Sequence, residues 1–577
     1  MTSFEKPVAL EPESLLEPST LDGLIHAFPF PEIRQQQREA LKVVADAYDT
    51  NTQFTILDLP VGSGKSGIGM AAGIWTAQTG GGGCHYLTSQ NMLTKQLMGD
   101  FGAFDLRDIK GKANYDCHMK RECKGKDPIT VNCDLGSIMN DDGLVCPGCT
   151  YRRAKGGYLS GLLGTTNYTY YLTETMYSKE LKPREYLILD EAHNIESEIL
   201  SLIDIQITQR RCDDLGVGDL PRVEIHEREK VLSWLSKVFI PPADLQVKIL
   251  KSAIDSYRKQ GVDVLLNPWE RRAQGPFKSK AQREGETALL SRYKQLSSLT
   301  RLLGNIKLFT EDGRDSEWVA WTNEEGALQI KPLSAAGFAN EYLFKGSPNI
   351  LLMSGTILNF TTFQRCLGIN PRHSKTLALP SDFPKGNRRI LYRPCGNMSS
   401  KTQAATLPVM AERCSAILNL FPDVKGIIHA HSYKISDYLA DALEHGPHAR
   451  RILTHAANVP GDRERAIEAH YAATDPTILL SPSMGEGVDL KDDLSRIQII
   501  TKVPYPKLDA YTRMRSERDP DWYALQTAVA LQQATGRSNR SASDHCITVI
   551  LDAEFEKFML RNQNMFSPWW LDSLEFR

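Results

Sequence analysis

The sequence predicts an α/β protein built on two parallel sheets, and three observations predict it. Apolar runs of strand length alternate with helix-compatible segments in both halves of the chain. One run opens directly into a glycine-rich turn, LDLPVGSGKS at residues 57–66. Another, YLILDEAH at residues 186–193, ends in two adjacent carboxylates. A parallel sheet gathers its strand ends on one side, where such loops meet.

At 577 residues the chain exceeds what one core supports, so three or four domains are expected. Apolar residues make up 41% and charged residues 24%, an ordinary globular balance. The net charge is −2, so any contact with nucleic acid must come from local clusters of Lys and Arg rather than an overall field. No apolar run of about eighteen residues appears, which argues against a membrane span. The start, MTSFEKPVALEPESLLEPST, is acidic and broken by proline, unlike a secretory signal. An intracellular protein, of cytoplasm or of nucleoid or nucleus, is expected.

In chain order, residues 1–25 read as a loose lead-in. From Leu57 to Cys84 the pattern is strand, glycine-rich turn, helix and a tight TGGGG turn. CHYLTSQNMLTKQLM reads as a strand and a helix beginning near Ser89 or Asn91. Residues 111–155 lack periodicity and are rich in Gly, Asp, Asn and Lys, so something other than an apolar core must hold them. YLILD returns to the sheet. Asn194 to Phe309 turns helical and charged, in segments such as LQVKILKSAIDSYRKQ. WVAWTNEEGALQIKPL reads as a hairpin turning at Asn323 to Gly326, and NILLMSGTI as a strand rejoining the first sheet. VKGIIHAHS, RRILTH, TILLSPSMGEGVDL, RIQIITKVPYP and HCITVILDAEF then supply a second α/β domain.

The glycine-rich turn carries a phosphate-binding chemistry. Gly62 and Gly64 let the backbone curl so that N–H groups, including that of Ser63, point at phosphate oxygens. Lys65 reaches the β- and γ-phosphates, the Ser66 hydroxyl suits Mg²⁺, and the following helix contributes its positive end. Asp190 suits Mg²⁺, directly or through water, and Glu191 suits polarising an attacking water. His193 either links this segment to others by hydrogen bonds or is a satisfied histidine at a strand end. His429 and His431 read as packing or loop residues.

Cysteine use is uneven. Of 11 cysteines, Cys117, Cys123, Cys133, Cys146 and Cys149 fall close together, whereas the others are single residues suited to apolar packing. In a reducing compartment such a cluster reads as a zinc or iron–sulfur site before it reads as disulfides. Cys146-Pro-Gly-Cys149 serves either, while the loose spacing of Cys117 and Cys133 is unlike a zinc ribbon. The same region holds Lys110, Lys112, Lys120, Arg121, Lys124, Lys126, Arg152, Arg153 and Lys155, with Tyr151 and Tyr158 available to stack on bases. Arg271, Arg272, Lys278 and Lys280 extend the basic set.

Taken in order, the motifs resemble those of the superfamily 2 helicases of the XPD/DinG group, from Arg34 to Asp552. FPEIRQQQREAL resembles the entry motif, with Gln37 as the adenine-contacting residue and Arg34 beside it. LPVGSGKS resembles motif I, YLTSQNMLTKQL motif Ia, DEAH motif II and MSGTI motif III. SMGEGVDL resembles motif V, placing Glu486, Gly487 and Asp489 at the nucleotide, though relatives usually carry an aromatic residue before the EG. QQATGRSNRS resembles motif VI, which implies Gln533 and the finger-type arginines Arg537 and Arg540.

The resemblance implies two RecA-like motor domains with an iron–sulfur lobe and a helical arch inserted in the first. The corresponding division is 1–25 lead-in; 26–110, 161–195 and 331–384 first motor; 111–160 lobe; 196–330 arch; 385–577 second motor. It implies a [4Fe–4S] cluster on Cys117, Cys133, Cys146 and Cys149, with Cys123 spare or in place of Cys133, and zinc as the alternative. ATP and Mg²⁺ are the other implied cofactors. The implied function is an ATP-dependent DNA helicase moving 5′→3′ on single-stranded DNA and opening duplex at junctions. RNA–DNA hybrids are a further substrate class. No membrane partner is implied, and a monomer is expected. Two alternatives share these residues: a translocase remodelling protein–DNA complexes, and a nucleic-acid-binding module with an inactive ATPase.

Overall fold

The computed structural model describes residues 19–115, 122–124, 127–129, 149–225, 227–259, 280–311, 318–457, 459, 461–482, 490, 492–536 and 544–576. Two seven-stranded sheets dominate, and every pairing in both is parallel. The first runs β12 (Ser374–Ala378), β1 (Phe54–Asp58), β11 (Asn349–Ser354), β7 (Tyr186–Asp190), β2 (Cys84–Thr88), β6 (Leu163–Asn167) and β3 (Arg107–Asp108). The second runs β15 (Ile452–Leu453), β16 (Ile478–Ser481), β14 (Gly426–His429), β17 (Ile497–Ile500), β18 (Cys546–Asp552), β13 (Arg388–Gly396) and β19 (Leu574–Phe576).

The central strands are buried on both faces, which is why FTILD, YLILD and NILLMS are continuous apolar runs rather than alternating ones. One face of the first sheet packs on the helices Gln35–Asp49 and Lys65–Gln78 through residues such as Leu41, Val44, Ile68 and Met70. The other face continues into the helical segment after Asp190, through Ile195, Ile199, Phe239 and Phe309. The helix Thr20–His26 lies across the end of the span 1–25 read as a lead-in. Ser19 caps it by accepting from the Asp22 N–H, and Leu24 is fully buried in the first domain's core.

The helical segment also carries a strand the sequence pattern had not suggested. β8 (Ile205–Ile207) pairs antiparallel with β10 (Leu328–Pro332), which pairs with β9 (Trp318–Thr322) across the hairpin at Asn323–Gly326. This small sheet packs against the second domain: Trp321 stacks on Tyr511 at 5.7 Å between centroids, and the Tyr511 hydroxyl donates to the Pro332 carbonyl at 3.0 Å. In the cysteine-bearing region, β4 (Glu122–Lys124) and β5 (Asp127–Ile129) form an antiparallel pair. Among the described residues no helix is long and apolar enough to cross a membrane.

Candidate nucleotide site between the two sheets

Three neighbouring strands deliver the site. In register, Asp58 of β1 lies opposite Ser354 of β11, and Met353 of β11 opposite Asp190 of β7. The glycine-rich turn, the DEAH segment and the SGTI segment therefore leave the sheet side by side at its carboxyl edge.

Gly62 and Gly64 adopt left-handed backbone, φ 80° and 82°, which residues with a Cβ adopt at a cost. A Cβ on Gly64 would lie 2.2 Å from Gln37 Nε2 and 2.9 Å from Arg34 Nη2, so these side chains cover the turn closely. Gln37 Nε2 donates to the Ser63 carbonyl at 3.0 Å, and Gln37 Oε1 accepts from the Arg34 N–H at 2.9 Å. Among the described residues the buried Ser63 hydroxyl has no hydrogen-bond partner. Lys65 begins the helix and its Nζ donates to the Leu59 carbonyl at 3.3 Å. A cradle of turned N–H groups, an ammonium and an unused hydroxyl fits a triphosphate.

Asp190 is only 9% exposed. Burial, then the neighbouring Glu191 charge, pushes its carboxyl up to about 6, against the opposing pull of Lys65, the Glu191 N–H and Tyr86. Tyr86 donates to Asp190 Oδ2 at 3.2 Å, and Ser66 lies near enough to influence the same hydroxyl. Tyr86 thus lies beside the two side chains that would hold Mg²⁺, a role the sequence does not advertise because a tyrosine inside an apolar strand looks like packing. Glu191 sits in left-handed backbone at φ 53°, an unusual state for a side chain of this kind and one found at sites where orientation matters.

His193 bridges the domains. Its Nδ1 lies 2.7 Å from Ser354 Oγ and its Nε2 3.2 Å from Gln533 Nε2. Because the Gln533 amide donates, His193 Nε2 accepts and Nδ1–H donates to Ser354. Gln533 also donates to Thr356 Oγ1 at 2.9 Å, and Gln532 Nε2 to the Gly355 carbonyl at 3.1 Å. The cleft beside them is lined by Val61, Glu191 and Thr356 from the first domain and by Arg388, Gln533 and Gly536 from the second.

Comparison with known proteins accords with this geometry. A model described as the Helicase C-terminal domain matches residues 417–573, and one described as Type III restriction enzyme, res subunit, matches residues 30–211. The chain is 23% identical over 407 residues to the ATP-dependent DNA helicase YoaA of Escherichia coli (strain K12), covering 66% of this chain and 61% of that protein. It is 29% identical over 248 residues to the ATP-dependent DNA helicase DinG of Photobacterium profundum, covering 39% of this chain and 34% of that protein. The solved structure titled "XPD_Helicase" shares the fold over 95% of this chain and all of its own, with TM-score 0.58 and 16% identity. By these matches the chain is similar to superfamily 2 helicases of the XPD/DinG type. It spans about three-fifths of the length of YoaA. A second solved structure, of S. tokodaii Xpd4, overlays 94% of the chain with TM-score 0.55 and 14% identity.

In the terms of that helicase group, motifs I, II and III and the Gln533 end of motif VI meet at one cleft, with Arg34 and Gln37 over the phosphate turn. Glu486, Gly487, Asp489, Arg537 and Arg540 lie outside the described residues. The helix that carries Gln533 runs to Thr535, with Gly536 as its cap. Of the expected cluster ligands, Cys117, Cys133 and Cys146 lie outside the described residues. Cys149 is described: it is a free cysteine at the N-cap position of the helix Thr150–Ser160, and its thiol makes no capping hydrogen bond. Among the described residues no group of three or more His, Cys, Asp or Glu is arranged to hold a metal ion.

Three residues expected on a nucleic-acid surface are instead inside. Tyr158 is fully buried, with its hydroxyl 2.8 Å from His85 Nδ1, and Tyr151 is 3% exposed with its hydroxyl 3.1 Å from that of Tyr170. Lys155 is buried in ion pairs with Glu174 at 2.9 Å and Glu180 at 2.7 Å. Its helix uses one face to dock on the first domain, and the charge run concealed that periodicity. Arg153 on the same helix is exposed.

Proposed function

We propose that the protein is an ATP-dependent DNA helicase that moves along single-stranded DNA, 5′→3′, and opens duplex at junctions. One observation carries the reading: His193 joins Ser354 of the first domain to Gln533 of the second beside Asp190, Glu191 and Lys65. Hydrolysis at such a cleft changes how the two domains are held, and that change is what a motor requires. The relatives' names support DNA as the track, and the resemblance to the group supports the polarity.

Lys65, Ser66 and the loop N–H groups would bind and orient the triphosphate, with Gln37 at the adenine. Glu191 would hold the attacking water and accept its proton, and Gln533 would sense the γ-phosphate end of the cleft. Asp190 and Ser66 would hold Mg²⁺, which neutralises charge on the phosphates. Arg537 and Arg540 would supply charge from the second domain, and Glu486, Gly487 and Asp489 would complete the pocket. Cys117, Cys133, Cys146 and Cys149 would fold the lobe around a [4Fe–4S] cluster, which is supported by their clustering in a segment without an apolar pattern. The protein would act as a monomer, on DNA or RNA–DNA hybrids.

The deciding experiment pairs ATPase and strand-separation assays. Single-stranded DNA should stimulate hydrolysis and Lys65→Ala should lower the stimulated rate about 100-fold or more. Stimulated hydrolysis without strand separation would leave a translocase; no hydrolysis with DNA present would remove the motor reading.

A further inference from the structure

Asp58 ends β1, ahead of the phosphate turn, and none of the roles above uses it. It is 6% exposed, and burying a carboxylate is costly unless its surroundings repay it. Its Oδ2 accepts from the backbone N–H of Leu358 at 3.1 Å. Leu358 follows the SGTI segment and stands in left-handed backbone at φ 61°, a strained state for a residue with a Cβ. Its side chain packs on the apolar cluster of the second domain that contains Ile390, Val503, Leu525 and Trp570. The Lys65 charge also bears on the Asp58 carboxyl, after burial and the N–H groups of Leu358 and Ile357. The Lys65 ammonium rests on the carbonyl of Leu59, the next residue along.

We propose that Asp58 is a positioning residue that ties the phosphate turn to the second domain, its carboxylate fixing the Leu358 turn while sharing the Lys65 charge with the bound phosphates. The proposal rests on the ATP-driven reading and deepens it. A γ-phosphate competes for the same ammonium. As Lys65 engages it, Asp58 loses part of its counter-charge and leans more strongly on the Leu358 N–H. The Leu358 turn tightens, and the second domain is held differently. No bond is made or broken; the signal is a redistribution of one positive charge.

Amide hydrogen exchange on the full chain tests this, with Mg²⁺ and ADP–beryllium fluoride as the probe. In the natural protein, exchange should slow at residues 62–66 and change at Leu358 and at residues 569–574 of the second domain. In Asp58→Ala the response at 62–66 should persist and the other two should vanish. Asp58→Asn keeps an acceptor oxygen without the charge, so Leu358 should stay protected but lose its sensitivity to the probe; it also serves if the alanine variant fails to fold. In both, DNA-stimulated kcat should fall about 10-fold with KM for ATP within about twofold, the pattern of a lost transition-state interaction. An unchanged second-domain response in either variant overturns the proposal, as does loss of the 62–66 response, which would make Asp58 a prop for the turn. No response at 62–66 in the natural protein would instead overturn the ATP reading on which the proposal stands.

Discussion

Asp58 also illustrates what an ionisable group at a working position costs. Burial raises its carboxyl from 3.8 to about 6, with the N–H groups of Leu358 and Ile357 and the Lys65 charge opposing. The folded chain therefore binds this proton more tightly than the unfolded chain. Its stabilising effect is full below about pH 4 and is lost as pH rises through about 6. A rise of that size corresponds to roughly 3 kcal/mol. Asp58→Asn cannot titrate, so its stability relative to the natural protein should rise by about that amount between pH 4 and 7, measured as the difference between urea-unfolding free energies at each pH. A difference flat with pH would deny the raised carboxyl. His193 makes a second residue-scale case. Removing its ring in His193→Ala unties Ser354 from Gln533, and DNA-stimulated kcat should drop about 10-fold or more with little change in KM. The phosphate turn and the acidic pair were legible because their residue types admit few other uses. Asp58 and Tyr86 were not: each stands in an apolar strand, and only the sheet register shows what lies across from it.

At the scale of elements, the helix Pro520–Thr535 is fastened at both ends to the segment that carries the carboxylates. Its far end offers Gln533 to His193. Near its start, Trp522 Nε1 donates to Glu196 Oε2 at 3.0 Å, and Arg515 from the preceding helix pairs with the same carboxylate while stacking on the Trp522 ring at 4.0 Å. Arg515 is 5% exposed and Glu196 8%, so breaking the pair strands a buried charge. Arg515→Ala should cost about 3–5 kcal/mol and lower the first thermal transition. Trp522→Phe, which keeps an aromatic ring but loses the N–H and the five-membered half of the indole, should cost about 1.5–3 kcal/mol. A less buried companion, Arg365 with Asp519, is bidentate at 3.1 and 2.5 Å and should contribute about 1 kcal/mol or less. None of this network was visible in sequence, because Glu196 and Arg515 read as solvated charges until two helices are known to touch. The hairpin was legible from Asn323-Glu-Glu-Gly326 between apolar strands; its third partner, β8, has only three residues and leaves no pattern.

For the molecule as a whole, the sequence showed two parallel-sheet halves because each central strand is a solid apolar run. The lobe between β3 and β6 gave no such signal, since metal ligation rather than apolar burial is what would fold it. Protein prepared without oxygen should carry about four iron atoms per chain with visible absorption. Cys149→Ser should reduce that content and leave the phosphate site able to bind ATP. One zinc and no iron would replace the cluster while leaving the motor intact. With a net charge of −2, any affinity for DNA must come from a confined track. Binding to single strands should weaken with salt at a slope of about −0.7 per phosphate contact, and exposed Arg153→Ala should change that slope by no more than about one contact.

The strand order of the first sheet has a consequence for biosynthesis. β1 has only β11 and β12 as neighbours, and both are encoded on the order of 300 residues downstream. At ribosomal speeds of about 5–20 residues per second, β1 waits roughly 15–60 s with both edges unsatisfied. The segment before the phosphate turn thus leaves the ribosome well ahead of the strands that complete its sheet, and a nascent chain halted before Asn349 should remain open to protease at Phe54–Asp58.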